Sequence, residues 1–264
     1  MLIAQLSDLH VRPGDQLYGG AVNSNAQLSR AVDHLHSLDR RPDLVIVSGD
    51  LVDEGRPEEY FEAAKALGRL AIPFLIAPGN HDDRANLRRA FRSHDYLPAA
   101  GPMNYCIDDH DLRIVVLDTC KAGSHHGELE ESTLSWLELT LLTNREKPTL
   151  VVMHHPPFTC GIPYLDRYRL LDSGKLANLL IGFDNIEAVL CGHVHRTMVR
   201  RWAGTVVITC PSTTTEIALQ MAQNAQPQSY SGPRSYLLHR WSRSERLVTH
   251  LVHTNHDAGP YPFF

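Results

Sequence analysis

Three apolar runs alternate with two segments of helical period at the start of the chain, and this order restricts the fold more than any other feature. Leu2-Ile3-Ala4-Gln5-Leu6 reads as a buried strand. Leu28, Ala31, Val32, Leu35 and Leu38 then repeat at helical spacing behind Ser24-Asn25-Ala26-Gln27, which has capping-box spacing. Asp43 to Val47 is a second buried strand. Pro57-Glu58-Glu59 starts a second helix, with proline in the first turn and carboxylates at the positive end of the dipole. Pro73 to Ala77 is a third strand, followed by a helix from Arg84 to Phe91. Strands separated by helices pair in parallel with right-handed crossovers, and such sheets place their site beyond the carboxyl ends of the strands. Asp8, His10, Asp50 and Asn80 all occupy such ends.

The rest of the chain adds a second set of strands. Met103–Asp108 and Leu112–Asp118 flank Asp109-His110-Asp111 and read as a hairpin. Leu134, Leu137 and Leu141 mark a helix. Asp172 is expected to cap another, carrying Leu176, Leu179 and Leu180. Thr149–Met153 runs into His154-His155-Pro156-Pro157, and Ile186–Cys191 into Gly192-His193-Val194-His195. Short strands follow over Thr197–Trp202, Thr205–Thr209, Ser235–Trp241 and Leu247–Val252. Residues 216–233 have no period and are expected to form a cap or an oligomerisation excursion. No composition shift marks a linker, so residues 1–264 read as one α/β domain with two sheets and outer helices.

Bulk properties narrow the function classes. The net charge is -5, with no run of Lys or Arg, which argues against a nucleic-acid surface. No apolar run approaches the roughly 18 residues of a membrane span. The N-terminus shows no basic stretch and no cleavage site, and Cys106, Cys120, Cys160, Cys191 and Cys210 form no C-x-x-C pair. A cytoplasmic protein without disulfides is expected, one that meets neither nucleic acid nor membrane.

The chemistry lies in the set Asp8, His10, Asp50, Asn80, His154, His193 and His195: four imidazoles, two carboxylates and one amide oxygen, without sulfur. These exceed the needs of one tetrahedral zinc and fit two cations sharing a carboxylate. Mixed nitrogen and oxygen donors suit Mn, Fe, Co or Zn, divalent or mixed-valence.

Asp8-Leu9-His10, Gly49-Asp50, Gly79-Asn80-His81-Asp82, His154 before the prolines, and Gly192-His193-Val194-His195 together resemble the signature of the calcineurin-like metallophosphoesterases. The closer resemblance is to the class III cyclic nucleotide phosphodiesterases and their glycerophosphodiesterase relatives. It is carried by Leu17-Tyr18-Gly19, Val47 to Val52, Gly55 to Tyr60 and Met153 to Pro157, and by Ala258-Gly259-Pro260 in the tail. The resemblance implies a four-layer αββα sandwich of two mixed β-sheets flanked by helices. It also implies Asp8, His10, Asp50 and His195 around one metal, and Asp50, Asn80, His154 and His193 around the other. Asp50 bridges, and a metal-bound hydroxide attacks a small phosphodiester, either a 3',5'-cyclic nucleotide or a glycerophosphodiester. Asn80 and His81 meet the phosphoryl group, with His81 a hydrogen-bond donor or leaving-group acid; relatives suggest a homo-oligomer. The alternatives are a phosphomonoesterase or nuclease of the same superfamily, or a non-catalytic scaffold, which would be expected to lose ligands.

Other residues carry weaker readings. Asp82 is expected to cap a helix or orient a histidine, Asp53 to sit in a turn, and His155 to be structural. Arg196 divides between a phosphate and a surface ion pair, and Tyr18 between the pocket and loop packing. His125-His126 reads as solvated imidazoles rather than a further metal site. His250, His253 and His256 are left unassigned.

Overall fold

The computed structural model describes residues 1–255 and 261. Ala258-Gly259-Pro260 and His256 lie outside the described residues. The opening strands are β1 (Leu2–Leu6), β2 (Leu44–Ser48) and β3 (Phe74–Ala77), crossed over by α1 (Ser24–Ser37) and α2 (Pro57–Leu67), with α3 (Arg84–Ala90) after them. β1 pairs in parallel with β2, and β2 with β3. β12 (Ser235–Ser242) pairs antiparallel with β1 and with β13 (Arg246–His253), giving the order β13-β12-β1-β2-β3.

The second sheet comprises β4 (Tyr105–Ile107), β5 (Arg113–Leu117), β6 (Thr149–Met153), β7 (Ile186–Cys191), β8 (Met198–Trp202) and β9 (Thr205–Thr209), in the order β4-β5-β6-β7-β9-β8. β5, β6, β7 and β9 run parallel, with antiparallel β4 and β8 at the edges. Its outer face carries α4 (Glu131–Leu142) and α6 (Gly174–Leu180), and the short α5 (Pro163–Asp166) lies in the loop after β6.

Side-chain alternation along the strands builds the layers. Ala4, Leu6, Val45, Val47 and Ile76 face Leu28, Leu35, Tyr60 and Leu67 of the first helices. Ile3, Ile46 and Leu75 face the other way, onto Ile114, Val152 and Leu190 of the second sheet. Val115, Val151 and Val189 face Leu137, Leu141 and Leu180 beyond it. Three apolar interfaces make four layers, αββα. A buried polar chain crosses the middle one: His239 Nε2–H donates to Gln5 Oε1 at 3.0 Å, and Gln5 Nε2 donates to Ser48 Oγ at 2.8 Å and to the Cys191 carbonyl at 3.0 Å.

The starts of α1 and α6 differ from the sequence reading. Asn23, not Ser24, caps α1, because its Oδ1 reaches the Ala26 amide at 2.9 Å and Ser24 is already helical. Before α6 the cap position falls to Ser173, and Asp172 stands one residue outside it with a left-handed backbone. Residues 216–233 contain a two-stranded hairpin, β10 (Glu216–Ile217) with β11 (Ser229–Tyr230). All five cysteines are free.

Candidate metal centre

Parallel strands of both sheets end at one place. β1 delivers Asp8 and His10, β2 Asp50 and β3 Asn80; β6 delivers His154, and β7 His193 and His195. Backbone bonds stitch these loops together: Asp8 N–H to the Gly49 carbonyl (3.0 Å), His10 N–H to the Asp50 carbonyl (3.1 Å), and Gly192 N–H to the His154 carbonyl (3.0 Å). The approach is close enough to exclude side chains at Gly49, Gly79 and Gly192. A Cβ on Gly49, whose φ is +104°, would lie 2.2 Å from His154 Nδ1, and one on Gly192 would lie 2.1 Å from Ser7 Oγ. Asp8, His10, Asp50, His193 and His195 all have left-handed backbone, with φ of 52, 43, 51, 71 and 51°. This turns their side chains inward immediately after a strand.

The donor atoms converge in four overlapping groups among the described residues, with His154, His155 and His193 in one and His10, Asp53 and His81 in another. Those of Asp8, His10 and His195 lie within 4.8 Å of one another, as do those of Asp8, Asp50 and His154. His195 Nε2 is 3.3 Å from Asp8 Oδ1 and 3.1 Å from His10 Nε2, and His154 Nε2 is 3.2 Å from Asp50 Oδ2. The far side of three of the four rings is hydrogen-bonded, and His10 Nδ1 faces Asp53 Oδ1 at 3.5 Å. His154 Nδ1–H donates to the Ser48 carbonyl (2.8 Å), His195 Nδ1 meets Thr215 Oγ1 (3.0 Å), and His193 Nδ1–H donates to Asn80 Oδ1 (2.9 Å). Such bonds fix the tautomer and leave Nε2 for a cation.

The residues present fit two metal ions. Nε2 of His154 and of His193 are buried and make no hydrogen bond. Buried polar atoms are rarely left so, and a cation would satisfy both. Titration agrees. Burial alone would raise the Asp50 carboxyl, but His154, His81 and His10 hold it well below its usual range. Burial would lower His154, yet Asp50 and Asp8 raise it to about 9. His193 is lowered to about 3 by burial and by His154. Without metal, protons take the place of cations, and the two compete for the same lone pairs.

A cavity of about 490 Å³ opens on this centre. His81 stands at its edge, its Nδ1–H donating to the Asp53 carbonyl at 2.6 Å, so Nε2 is its free atom. Tyr164, Leu165, Tyr168, Ile217 and Pro227 supply much of the wall, and no Lys or Arg is among the described lining residues. Ile217 and Pro227 belong to the 216–233 segment. Arg196 is committed to that segment, binding the Ile217 carbonyl and Glu216 Oε1, both at 2.6 Å.

Several weaker readings are corrected by contacts between distant loops. Asp53 is more than a turn residue: Oδ1 lies 3.5 Å from His10 Nδ1, and Oδ2 accepts from Arg12 at 2.8 Å. Asp83, not Asp82, caps α3, accepting from Asn86 N–H at 2.8 Å. Asp82 touches no histidine by hydrogen bond and takes the amides of Gly79 and Leu51 instead. Tyr18 stacks on His10 at 4.5 Å and lines the cavity. His125 and His126 part company: His126 faces Ser124 and Glu128, while His125 reaches Asn80 Nδ2 at 3.1 Å. His155 is structural as expected. Its donor atoms lie near those of His154 and His193, but its Nε2–H donates to the His125 carbonyl and its Nδ1 meets Thr119, so both nitrogens are engaged by the protein.

The chain is similar to known proteins. The family model for calcineurin-like phosphoesterases matches residues 1–197. A probable glycerophosphodiester phosphodiesterase of Arcobacter nitrofigilis is 34% identical over 100% of this chain and 97% of its own length. A cAMP/cGMP dual specificity phosphodiesterase of Mycobacterium tuberculosis is 32% identical over 80% of this chain and 67% of its own. Among solved structures, a dimetal phosphatase from Danio rerio superposes with a TM-score of 0.70 at 14% identity, covering 97% of this chain and 96% of that one, a likeness of fold.

Proposed function

The chain belongs to the calcineurin-like phosphoesterase family, and on that premise we propose that it is a two-metal phosphodiesterase of small diesters. The observation that carries this reading is the meeting of seven ligand-type side chains, two with buried Nε2 atoms that make no hydrogen bond, beside a cavity whose described lining holds no Lys or Arg. Asp8, His10, Asp50 and His195 would hold one cation, and Asp50, Asn80, His154 and His193 the other, with Asp50 shared. When bound, the pair supplies a water of lowered pKa and positive charge at the phosphoryl oxygens. Nitrogen and oxygen donors without thiolate favour Mn, Fe, Co or Zn, divalent or mixed-valence.

The chain's own groups do the rest. His81 is held through Nδ1, so its Nε2 is offered to a phosphoryl oxygen or to the departing alkoxide. Burial would lower its pKa, but Asp50 and the Asp53 carbonyl raise it, which favours the donor form. Tyr18 packs against His10 and limits water on that side. A diester carries one negative charge and needs no arginine clamp, in keeping with a described lining that holds no Lys or Arg. The names of the two relatives above point the same way, to cyclic nucleotides or glycerophosphodiesters.

Residues 1–264 would act as one domain, with 216–233 as a cap over the cavity. No helix among the described residues is long and apolar enough to cross a membrane, and the free cysteines support a cytoplasmic setting. A homo-oligomer is proposed, to be read by light scattering. The deciding experiment is a substrate panel on protein of measured Mn content: bis-p-nitrophenyl phosphate, cAMP, glycerophosphocholine, p-nitrophenyl phosphate and DNA. Hydrolysis of the diesters above the monoester and DNA is expected. Inactivity on every diester would overturn the proposal.

A further inference from the structure

We propose that His125 is a positioning residue that sets which end of the Asn80 amide faces the metal centre, and so controls occupancy of the second cation. This inference rests on the metal-centre reading above. The two ends of an asparagine amide have nearly the same shape and opposite chemistry: the oxygen only accepts, and the NH2 only donates. A cation can be held by the oxygen and is repelled by the NH2, so a ligand asparagine needs a partner that distinguishes the two. Asn80 has one on each side. Oδ1 accepts from His193 Nδ1–H at 2.9 Å, and Nδ2 lies 3.1 Å from His125 Nδ1. For that second contact His125 must offer a lone pair, which can accept from NH2 and would repel the amide oxygen.

The placement of His125 is built into the fold. Its loop follows β5 of the second sheet, while Asn80 follows β3 of the first. His155 Nε2–H donates to the His125 carbonyl at 3.2 Å, and His155 is itself tied to Thr119 at 2.7 Å. Two residues on, Gly127 forms bridges with Cys120 and Leu170, and a Cβ there would lie 2.6 Å from the His155 ring. Tyr168 meets the His125 ring edge-on at 5.7 Å. His125 belongs to none of the ligand clusters among the described residues. Its side chain is exposed at the cavity rim, so replacing it does not open a core.

The test compares metal-free wild type, His125→Ala and His125→Asn, each titrated with Mn2+ by calorimetry and followed by EPR of the coupled pair. Wild type is expected to bind two Mn2+. His125→Ala should keep the first affinity and weaken the second by roughly tenfold or more, the usual scale for losing a ligand's supporting bond. Activity of this variant should return at high Mn2+. His125→Asn, whose Oδ1 replaces the imidazole Nδ1 as acceptor, should restore the second affinity to within about threefold. An unchanged second affinity in His125→Ala overturns the inference, and so does His125→Asn binding as weakly as His125→Ala. Wild type that binds fewer than two Mn2+ overturns the metal-centre reading itself.

Discussion

Asp82 joins the loop that carries Asp50 to the loop that carries Asn80, and its replacement separates two kinds of damage. Oδ2 accepts from the amides of Gly79 at 2.9 Å and Leu51 at 3.2 Å, and Oδ1 accepts from Tyr60 Oη at 3.0 Å. Gly79 and Leu51 are buried. Asp82→Ala leaves both amides without an acceptor, at about 1–3 kcal/mol each, for an expected loss of about 2–6 kcal/mol. Asp82→Asn keeps them: its oxygen takes the place of Oδ2, and its NH2 donates to Tyr60 Oη. That hydroxyl can still donate to the Asp83 carbonyl, 3.4 Å away. Asp82→Asn is therefore expected within about 1 kcal/mol of wild type near pH 5, since no buried donor loses its acceptor.

The two carboxyl states make this a pH experiment as well. Burial, then the charge of Asp50, push the Asp82 carboxyl up to about 7. In metal-free protein the fold holds a proton that the unfolded chain releases near pH ~4. The group's contribution to stability is full below that point and is lost as pH rises through about 7. The asparagine variant lacks this term and should gain on wild type from pH 5 to pH 8. Urea unfolding of the chelated proteins at both pH values reads the two effects. An asparagine as costly as alanine would refute the hydrogen-bond reasoning, and a wild type–asparagine difference that ignores pH would refute the titration.

Three further outcomes are expected. Asp50→Ala should lose both metals together, since the proposed assignment shares its carboxylate between them; a variant that retains one tight metal by mass spectrometry would end the bridging assignment. Burial, then the charge of His250, hold His239 near a pKa of about 3, so below the unfolded value the unfolded chain takes up a proton that the fold refuses. That contribution is full above pH ~6.5 and should be down by about 2 kcal/mol at pH ~5. His239→Gln should flatten the acid limb by that amount, and parallel limbs would refute it. Gly192→Ala would set a Cβ 2.1 Å from Ser7 Oγ and 2.9 Å from Asp8 Oδ2, so a metal-poor protein destabilised by about 1–3 kcal/mol or more is expected. Wild-type Tm and metal content in that variant would contradict the close approach.

The sequence made the frame legible because its signals are local. Each ligand follows an apolar run within a few residues, so the strand end and the side chain are read in one glance, as at Val47 and Asp50. Two sheets with outer helices follow from the apolar runs, and the four-layer order from the family resemblance. What stayed hidden depends on contacts between loops. Asn80 and His125 are 45 residues apart, and the adjacent His126 is identical in type but turned to Ser124 and Glu128. Asp82 and Asp83 are adjacent and identical in type, and only the direction of the chain decides which one caps α3. Asp53 earns its place through Arg12 and His10, which no periodicity connects to it. The hairpin within 216–233 has two residues per strand, too short for a pattern of two to register.

The left-handed backbone at Asp8, His10, Asp50, His193 and His195 bears on how the protein can change. Non-glycine residues there carry roughly 1–2 kcal/mol of steric cost each, and glycine would relieve it. The gain is offset where a side chain also takes a buried amide, as Asp8 takes His193 N–H and Asp50 takes His81 N–H. Glycine at these positions would remove a donor and its steric cost together, and with them those hydrogen bonds and the packing around each buried ring.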